Sequence, residues 1–268
     1  MAKRRRRYSK RTTQSTIAAI IVLGIIALFN GGLKGNLIPS STPSHETHTQ
    51  SVTKTDKLAS LDFKSGENSV VYVNKNKSTL NPKSWQENKV DYQNLDHYNR
   101  TSGANVAYLE NRNLASNDDR ERQYVRPTAW HQKFVDGEAI INRGHLIAYS
   151  LSGGINANGR YDGSEAGDQN NPKNLFTQTA FSNQKVQTIY EQKVRQALYD
   201  HHKVIFYAKP IFRGSERMAR GIHLQAISTD GSLDFNVYLF NVQPGVQFDY
   251  QTGRSKIDRD FKVEEPNQ

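Results

Sequence analysis

Glu138-Ala-Ile-Ile-Asn-Arg-Gly-His145 is the stretch on which the reading of this 268-residue chain turns. Glu138 to Asn142 has the apolar content of a short buried strand, and it delivers Arg143, Gly144 and His145. A glycine before the histidine permits a sharp turn and close approach to a phosphate backbone. A histidine changes charge near neutral pH, which makes it the natural side chain to take a proton from water. Alone, such a histidine is more often an ordinary core or loop residue. Its downstream partners make the difference.

Asn174 follows His145 by 29 residues and Asn183 by 38, and Glu191 and Arg195 come next at helical spacing. Eight residues separate Asn183 from Glu191; on an α-helix that is about 80° of rotation and about 12 Å of rise. Both do not bind one ion directly from within a single straight helix. They cooperate if Asn183 lies at the helix start and Glu191 acts through a bound water. Mg²⁺ accepts amide oxygens and keeps several waters, so one protein ligand suffices. Taken singly, Asn183 is an N-cap candidate and Glu191 belongs to a solvated helix face. Arg195 shares that face, either as a surface ion pair worth a few tenths of a kcal/mol or as a phosphate clamp steadied by Glu191. Arg143 offers a second guanidinium. A base, a hard-metal ligand, a carboxylate and phosphate-binding cations make a set suited to phosphodiester cleavage.

Working outward, Tyr149 to Asn174 is rich in Gly, Asn, Asp and Ser and reads as a long loop of the functional kind. Asn174 to Tyr199 is helix-like over most of its length, with Phe181, Ile189, Val194 and Leu198 at roughly helical spacing. Val70–Val73, Val204–Ala208, Ile222–Ser228 and Phe235–Asn241 are strand candidates. Thr229-Asp230-Gly231-Ser232 joins the last two as a hairpin. Asp96 to Asn111 is ambiguous. Strands without alternating helices predict an α+β fold with an antiparallel sheet.

The formal charge of +10 is misleading as a sign of nucleic-acid binding. Lys3, Arg4, Arg5, Arg6, Arg7, Lys10 and Arg11 supply seven charges ahead of an apolar run, where positive charge sets membrane orientation. The first 60 residues hold ten of the 36 Lys and Arg and two of the 26 Asp and Glu, which leaves 26 against 24 from Leu61 onward. The absence of cysteine excludes disulfides, thiolate zinc sites and cysteine nucleophiles. The expected organisation is a basic cytoplasmic N-terminus over 1–16, a transmembrane anchor or signal segment over 17–33, a Ser/Thr/Pro-rich linker over 34–60, and a catalytic domain over 61–268. Either reading of 17–33 puts the C-terminal domain outside the cell.

The segments NRGHLIAYSLSGG, NNPKNLFTQTAFSNQ and YEQKVRQAL resemble the DNA/RNA non-specific endonucleases, the ββα-metal or His-Me finger nucleases. Within them the chain is most similar to the streptococcal branch, which Arg126-Pro127 and Trp130-His131-Gln132 also fit. The resemblance spans Val70 to Val242. It implies a ββα-metal fold with a central antiparallel sheet flanked by helices, and hydrolysis of DNA, with RNA as a further substrate, to 5′-phosphate ends. His145 corresponds to the general base and Asn183 to the one protein ligand of Mg²⁺, for which Mn²⁺ substitutes. Asn174 corresponds to a residue supporting the water and metal network, and Glu191 to a carboxylate orienting metal-bound waters. Arg143 and Arg195 correspond to phosphate-binding arginines, and Gln178 is a weaker match. Asn142 departs from the family's Asp-Arg-Gly-His signature. Asn keeps the size and one acceptor oxygen of Asp but loses the charge. As a loop buttress it serves equally, whereas if the charge tunes the metal or the histidine, activity is lower. The buttress reading is favoured, since every residue closer to the chemistry is present. A second reading, a catalytically weak DNA-binding component of an uptake apparatus, has only Asn142 in its favour.

Overall fold

Among the described residues, long apolar runs separated by turn residues build a seven-stranded sheet, and a short hairpin and one α-helix pack beside it. The computed structural model describes residues 51–52, 55–115, 121–163 and 169–266. In chain order the strands are β1 (Ser51–Val52), β2 (Val70–Val73), β3 (Lys89–Asp91), β4 (Asn105–Leu109), β5 (Phe134–Val135), β6 (Glu138–Ala139), β7 (Ile141–His145) and β8 (Leu175–Thr179). A π-helical segment (Ser182–Gln187) and the helix α1 (Thr188–Tyr199) come next. The chain closes with β9 (Val204–Ile211), β10 (Gly221–Ser228), β11 (Asp234–Phe240), β12 (Val246–Asp249) and β13 (Arg254–Ile257).

The main sheet has the order β1-β2-β11-β10-β9-β4-β3. Its pairings are antiparallel except β1 with β2. The β10–β11 hairpin turns through residues 229–233 as the Asp-Gly signal predicts. β4 emerges from the ambiguous stretch Asp96 to Asn111. Both sheet faces are covered. On one, Tyr190, Val194, Ala197 and Leu198 of α1 pack with Phe206, Leu224, Phe235 and Val237. On the other, Leu58, Val71, Val73, Tyr238 and Phe240 form a second cluster. Leu58, within the stretch expected to be linker, is thus part of the fold.

β7 and β8 make a separate antiparallel pair that leads directly into the helical segment, a ββα unit. Two asparagines fasten it to the sheet. Asn241, at the end of β11, accepts from the Thr179 amide at 2.7 Å and donates to the Thr177 and Ala219 carbonyls. Asn105 of β4 donates to the Lys173 carbonyl at 2.9 Å.

Two local expectations are corrected. The stretch from Asn174 begins as strand, not helix. All five residues of β8 are buried, so the run has neither the helical nor the alternating period, and pairing with β7 decides its state. His145 is the last residue of β7 rather than a residue beyond it. The apolar run 17–33 lies outside the described residues, and among these no helix is long and apolar enough to cross a membrane.

Candidate active site

The register of β7 on β8 sets Asn142 opposite Gln178 and Gly144 opposite Phe176. Gly144 is needed for space. A Cβ there would lie 2.3 Å from Gln178 Oε1 and 2.6 Å from Gln178 Cβ. The glycine makes room for a neighbouring side chain inside the site, not for a sharp turn.

Beside this hairpin opens a cleft of about 430 Å³, lined by Asn142, Arg143, His145, Asn183 and Glu191 together with Trp130 and other residues. The helical segment explains how Asn183 and Glu191 share it. Ser182–Gln187 is π-helical, and a turn closed by i→i+5 bonds takes about one residue more than the 3.6 of an α-turn. Eight residues then make about two turns, which removes most of the 80° offset expected of a straight α-helix.

A chain of amides runs through the floor of the site. Gln187 Nε2 donates to the His145 carbonyl at 2.9 Å and to Glu191 Oε1 at 2.7 Å. Gln187 Oε1 accepts from Gln178 Nε2 at 3.0 Å, and Gln178 Oε1 accepts from Asn183 Nδ2 at 2.9 Å. Asn183 Oδ1 accepts from Asn142 Nδ2 at 3.2 Å. Gln178 and Gln187 are fully buried. Gln178, a weak match by sequence, is the hub, and Gln187 is a member that neither the motif nor the chemistry of the sequence points to. The signal was available: Gln187 stands four residues after Asn183 and four before Glu191, a spacing that puts helical residues on one face.

His145 is buried except for its edge on the cleft, at 8% exposure. Its Nε2 lies 3.1 Å from the Gln169 carbonyl. A carbonyl only accepts, so Nε2 carries the proton of the neutral ring and the basic lone pair is on Nδ1. Arg143 lays its guanidinium over Trp130 at 4.6 Å and donates Nε to the Val125 carbonyl. Burial, then repulsion by Arg126, lowers its pKa. Both effects are relieved by a bound anion. Burial raises the Glu191 pKa, against the opposing hydrogen bond from Gln187 and the charge of Arg195.

Two residues stand outside this group. Asn174 is fully buried beneath the cleft. Its Oδ1 accepts from the Ile147 amide at 3.0 Å and its Nδ2 donates to the Ile147 carbonyl at 2.9 Å, so it braces the chain two residues after His145. Arg195 is not among the residues lining the cleft. Its Nη2 donates to the Ser150 carbonyl at 3.3 Å, which braces the same loop, and no ion pair joins it to Glu191.

Among the described residues no three His, Asp or Glu side chains gather to hold an ion by themselves. What the cleft offers is an amide oxygen on Asn183 and a carboxylate on Glu191. That set suits a hard ion that keeps its own waters; it lacks the nitrogen and sulfur ligands of a closed zinc site.

Comparison with known proteins agrees with this architecture. The model of the DNA/RNA non-specific endonuclease family matches residues 76–230. The chain belongs to that family. Two solved structures of NucA from Streptococcus agalactiae are similar to it. The magnesium-bound form is 30% identical, with a TM-score of 0.63 over 75% of this chain and 93% of that one. The metal-free form is 28% identical, with a TM-score of 0.62 over 75% and 94%. Sda1 nuclease with bound zinc, at 21% identity, shares the fold with a TM-score of 0.52 over 69% and 95%. The protein is therefore a metal-dependent endonuclease acting on nucleic acid, and its ββα unit is that of a ββα-metal nuclease.

Proposed function

We propose that this is a Mg²⁺-dependent endonuclease without sequence preference, cutting DNA and possessing the chemistry to cut RNA, with His145 as general base. The observation that carries the reading is the convergence of His145, Arg143, Asn183 and Glu191 on one cleft. Mn²⁺ is expected to substitute, since an amide oxygen and waters suit either hard ion.

His145 Nδ1 takes the proton from the attacking water as the water's oxygen forms its bond to phosphorus, and the P–O bond to the 3′-oxygen breaks on the opposite side. The 3′-oxygen leaves as an alkoxide and takes a proton from water in the cleft, His145 returns its proton to solvent, and the products are a 5′-phosphate and a 3′-hydroxyl. Arg143, held by Val125 and Trp130, neutralises charge gathering on the phosphoryl oxygens. Asn183 Oδ1 would hold the metal, whose contribution when bound is charge neutralisation at the scissile phosphate. Glu191 orients water around that site. Asn174 and Arg195 act as positioning residues, since each fastens the segment just after His145. These groups address phosphate and water, and contacts to phosphate carry no direct sequence information.

The N-terminal sequence supports a place at the cell surface or outside it. Seven cations precede the uncharged apolar run within 17–33, the arrangement that retains positive charge on the cytoplasmic side. The test of the function is plasmid relaxation by the purified protein in Mg²⁺ and in excess chelator, with end-labelling of the products. Cutting at scattered sites, only with metal and with 5′-phosphate ends, is the expected result. Cutting in chelator, or at one recurring sequence, would overturn it.

A further inference from the structure

Asn142 is the position at which the chain departs from the family signature, and its contact differs from the one expected of it. The expectation was that the asparagine would serve through its acceptor oxygen. Instead its amide nitrogen is engaged, donating to Asn183 Oδ1, the oxygen assigned to the metal.

The direction of that bond is fixed from the far end of the amide chain. Gln187 faces two oxygens, the His145 carbonyl and a carboxylate oxygen of Glu191. The carbonyl only accepts, so Gln187 presents its nitrogen there whatever the protonation of Glu191. Its oxygen then faces Gln178, which must donate; the oxygen of Gln178 faces Asn183, which must donate in turn. Asn183 is left with its oxygen toward Asn142, and only a donor at 142 can satisfy it. An aspartate there would set two acceptors against each other with no hydrogen between them, an arrangement relieved by a cation or a water.

We propose that Asn142 is an internal cap on the metal ligand, and that it lowers the affinity of this site for divalent cations relative to the family's aspartate. It does so in two ways. Its N–H occupies a lone pair of Asn183 Oδ1 and puts a partial positive charge where a cation would sit. It also lacks the negative charge an aspartate brings. The inference rests on the reading of Asn183 as the metal ligand.

The test is Mn²⁺ binding to the full-length protein and its variants, followed by the electron paramagnetic resonance signal of the free ion, with no nucleic acid present. Asn142→Ala removes the donor without adding charge. Release of one neutral hydrogen bond should tighten binding by about three- to tenfold. Asn142→Asp adds the charge and should bind more tightly still. Asn142→Ala binding no more tightly than wild type would overturn the cap, as would Asn142→Asp binding more weakly. Asn183→Ala separates the two levels of the argument. If it keeps wild-type Mn²⁺ affinity, the assignment of the ligand fails. If it abolishes binding while Asn142→Ala leaves affinity unchanged, the ligand stands and the cap alone fails. Should Asn142→Asp not fold, the Asn142→Ala comparison decides.

Discussion

Arg100, which is buried, and Arg143, which is half-buried, both stack their guanidiniums on aromatic rings, and they differ in what their N–H groups meet. Arg100 lies 4.7 Å from the rings of Tyr98 and Phe212. It pairs with Asp96 at 2.8 Å and donates to the carbonyls of Gly214 and Glu216. Among the described residues Arg143 has Trp130 and one carbonyl, no carboxylate partner, and Arg126 as a repelling neighbour. A charge drawn out of water without an opposite partner is destabilised, and at Arg143 this shows as a lowered pKa. At Arg100 the protein supplies the partner; at Arg143 the proposed function has an entering phosphate supply it. The comparison sets a charge that holds the fold beside one that the proposed function assigns to the substrate, though the two residues look alike in the sequence.

The comparison breaks if the two arginine sites respond alike to mutation. Arg143→Ala should cut plasmid cleavage on the order of a hundredfold, the usual loss on removing a donor that stabilises developing charge. The melting temperature should hold. A variant with near-normal cleavage would make Arg143 structural. Asp96→Ala should do the reverse and destabilise by about 3 kcal/mol, because it strands a buried guanidinium, with the cleft untouched. Burial raises the Asp96 pKa, but hydrogen bonds from Arg100, Ser102 and Tyr98 outweigh it and hold the pKa at about 2. A lowered pKa means that stability from Asp96 is present above its ordinary value near 3.8 and is lost as pH falls through about 2. Denaturant titrations of wild type and Asp96→Ala should therefore converge in acid. A constant difference down to pH 2 would contradict the assignment.

Two smaller effects sharpen the comparison within the cleft. Gln187→Leu should lower cleavage about 10- to 100-fold, as is typical for groups that orient ligands from behind, because it leaves the His145 carbonyl and Glu191 without their donor. Full activity would show that the amide chain is not needed. Glu191→Gln should be nearly silent in stability at neutral pH and damaging to activity. The Glu191 pKa is raised, first by burial. Its contribution to stability is thus present below the ordinary carboxylate value and lost as pH rises through the raised one. In chelator at pH 7 the Gln variant should melt no lower than wild type, and any advantage should vanish near pH 4. A drop of several degrees at pH 7 would mean that the charged form holds the fold.

Much of this was legible in the sequence. Val70–Val73 was read to the residue, and β9, β10 and β11 to within a few residues, because their apolar runs are bounded by turn signals. The cleft residues Arg143, His145, Asn183 and Glu191 were legible because each belongs to a chemical type that phosphodiester hydrolysis requires. What stayed hidden depends on register and burial. β8 lies in a stretch that reads as helix-like over most of its length, because a strand buried along its whole length leaves no periodic mark. The π-helical turn, which brings Asn183 and Glu191 to one cleft, has no composition of its own. Asn174 and Arg195 carry the right chemistry but spend it on the backbone of the loop after His145. At Asn142, the sequence indicated a lost charge, and only the amide chain revealed a gained donor.

The central claim is that the cleft between β7 and the π-helical turn is where phosphodiester bonds are hydrolysed, with His145 as the base. The most direct measurement is the initial rate of plasmid cleavage by His145→Ala in saturating Mg²⁺, set beside its melting temperature. General-base catalysis is worth about 10² to 10⁴ in rate, so a loss of that size with an unchanged melting temperature is predicted. A folded His145→Ala variant cutting within a few-fold of wild type would contradict it.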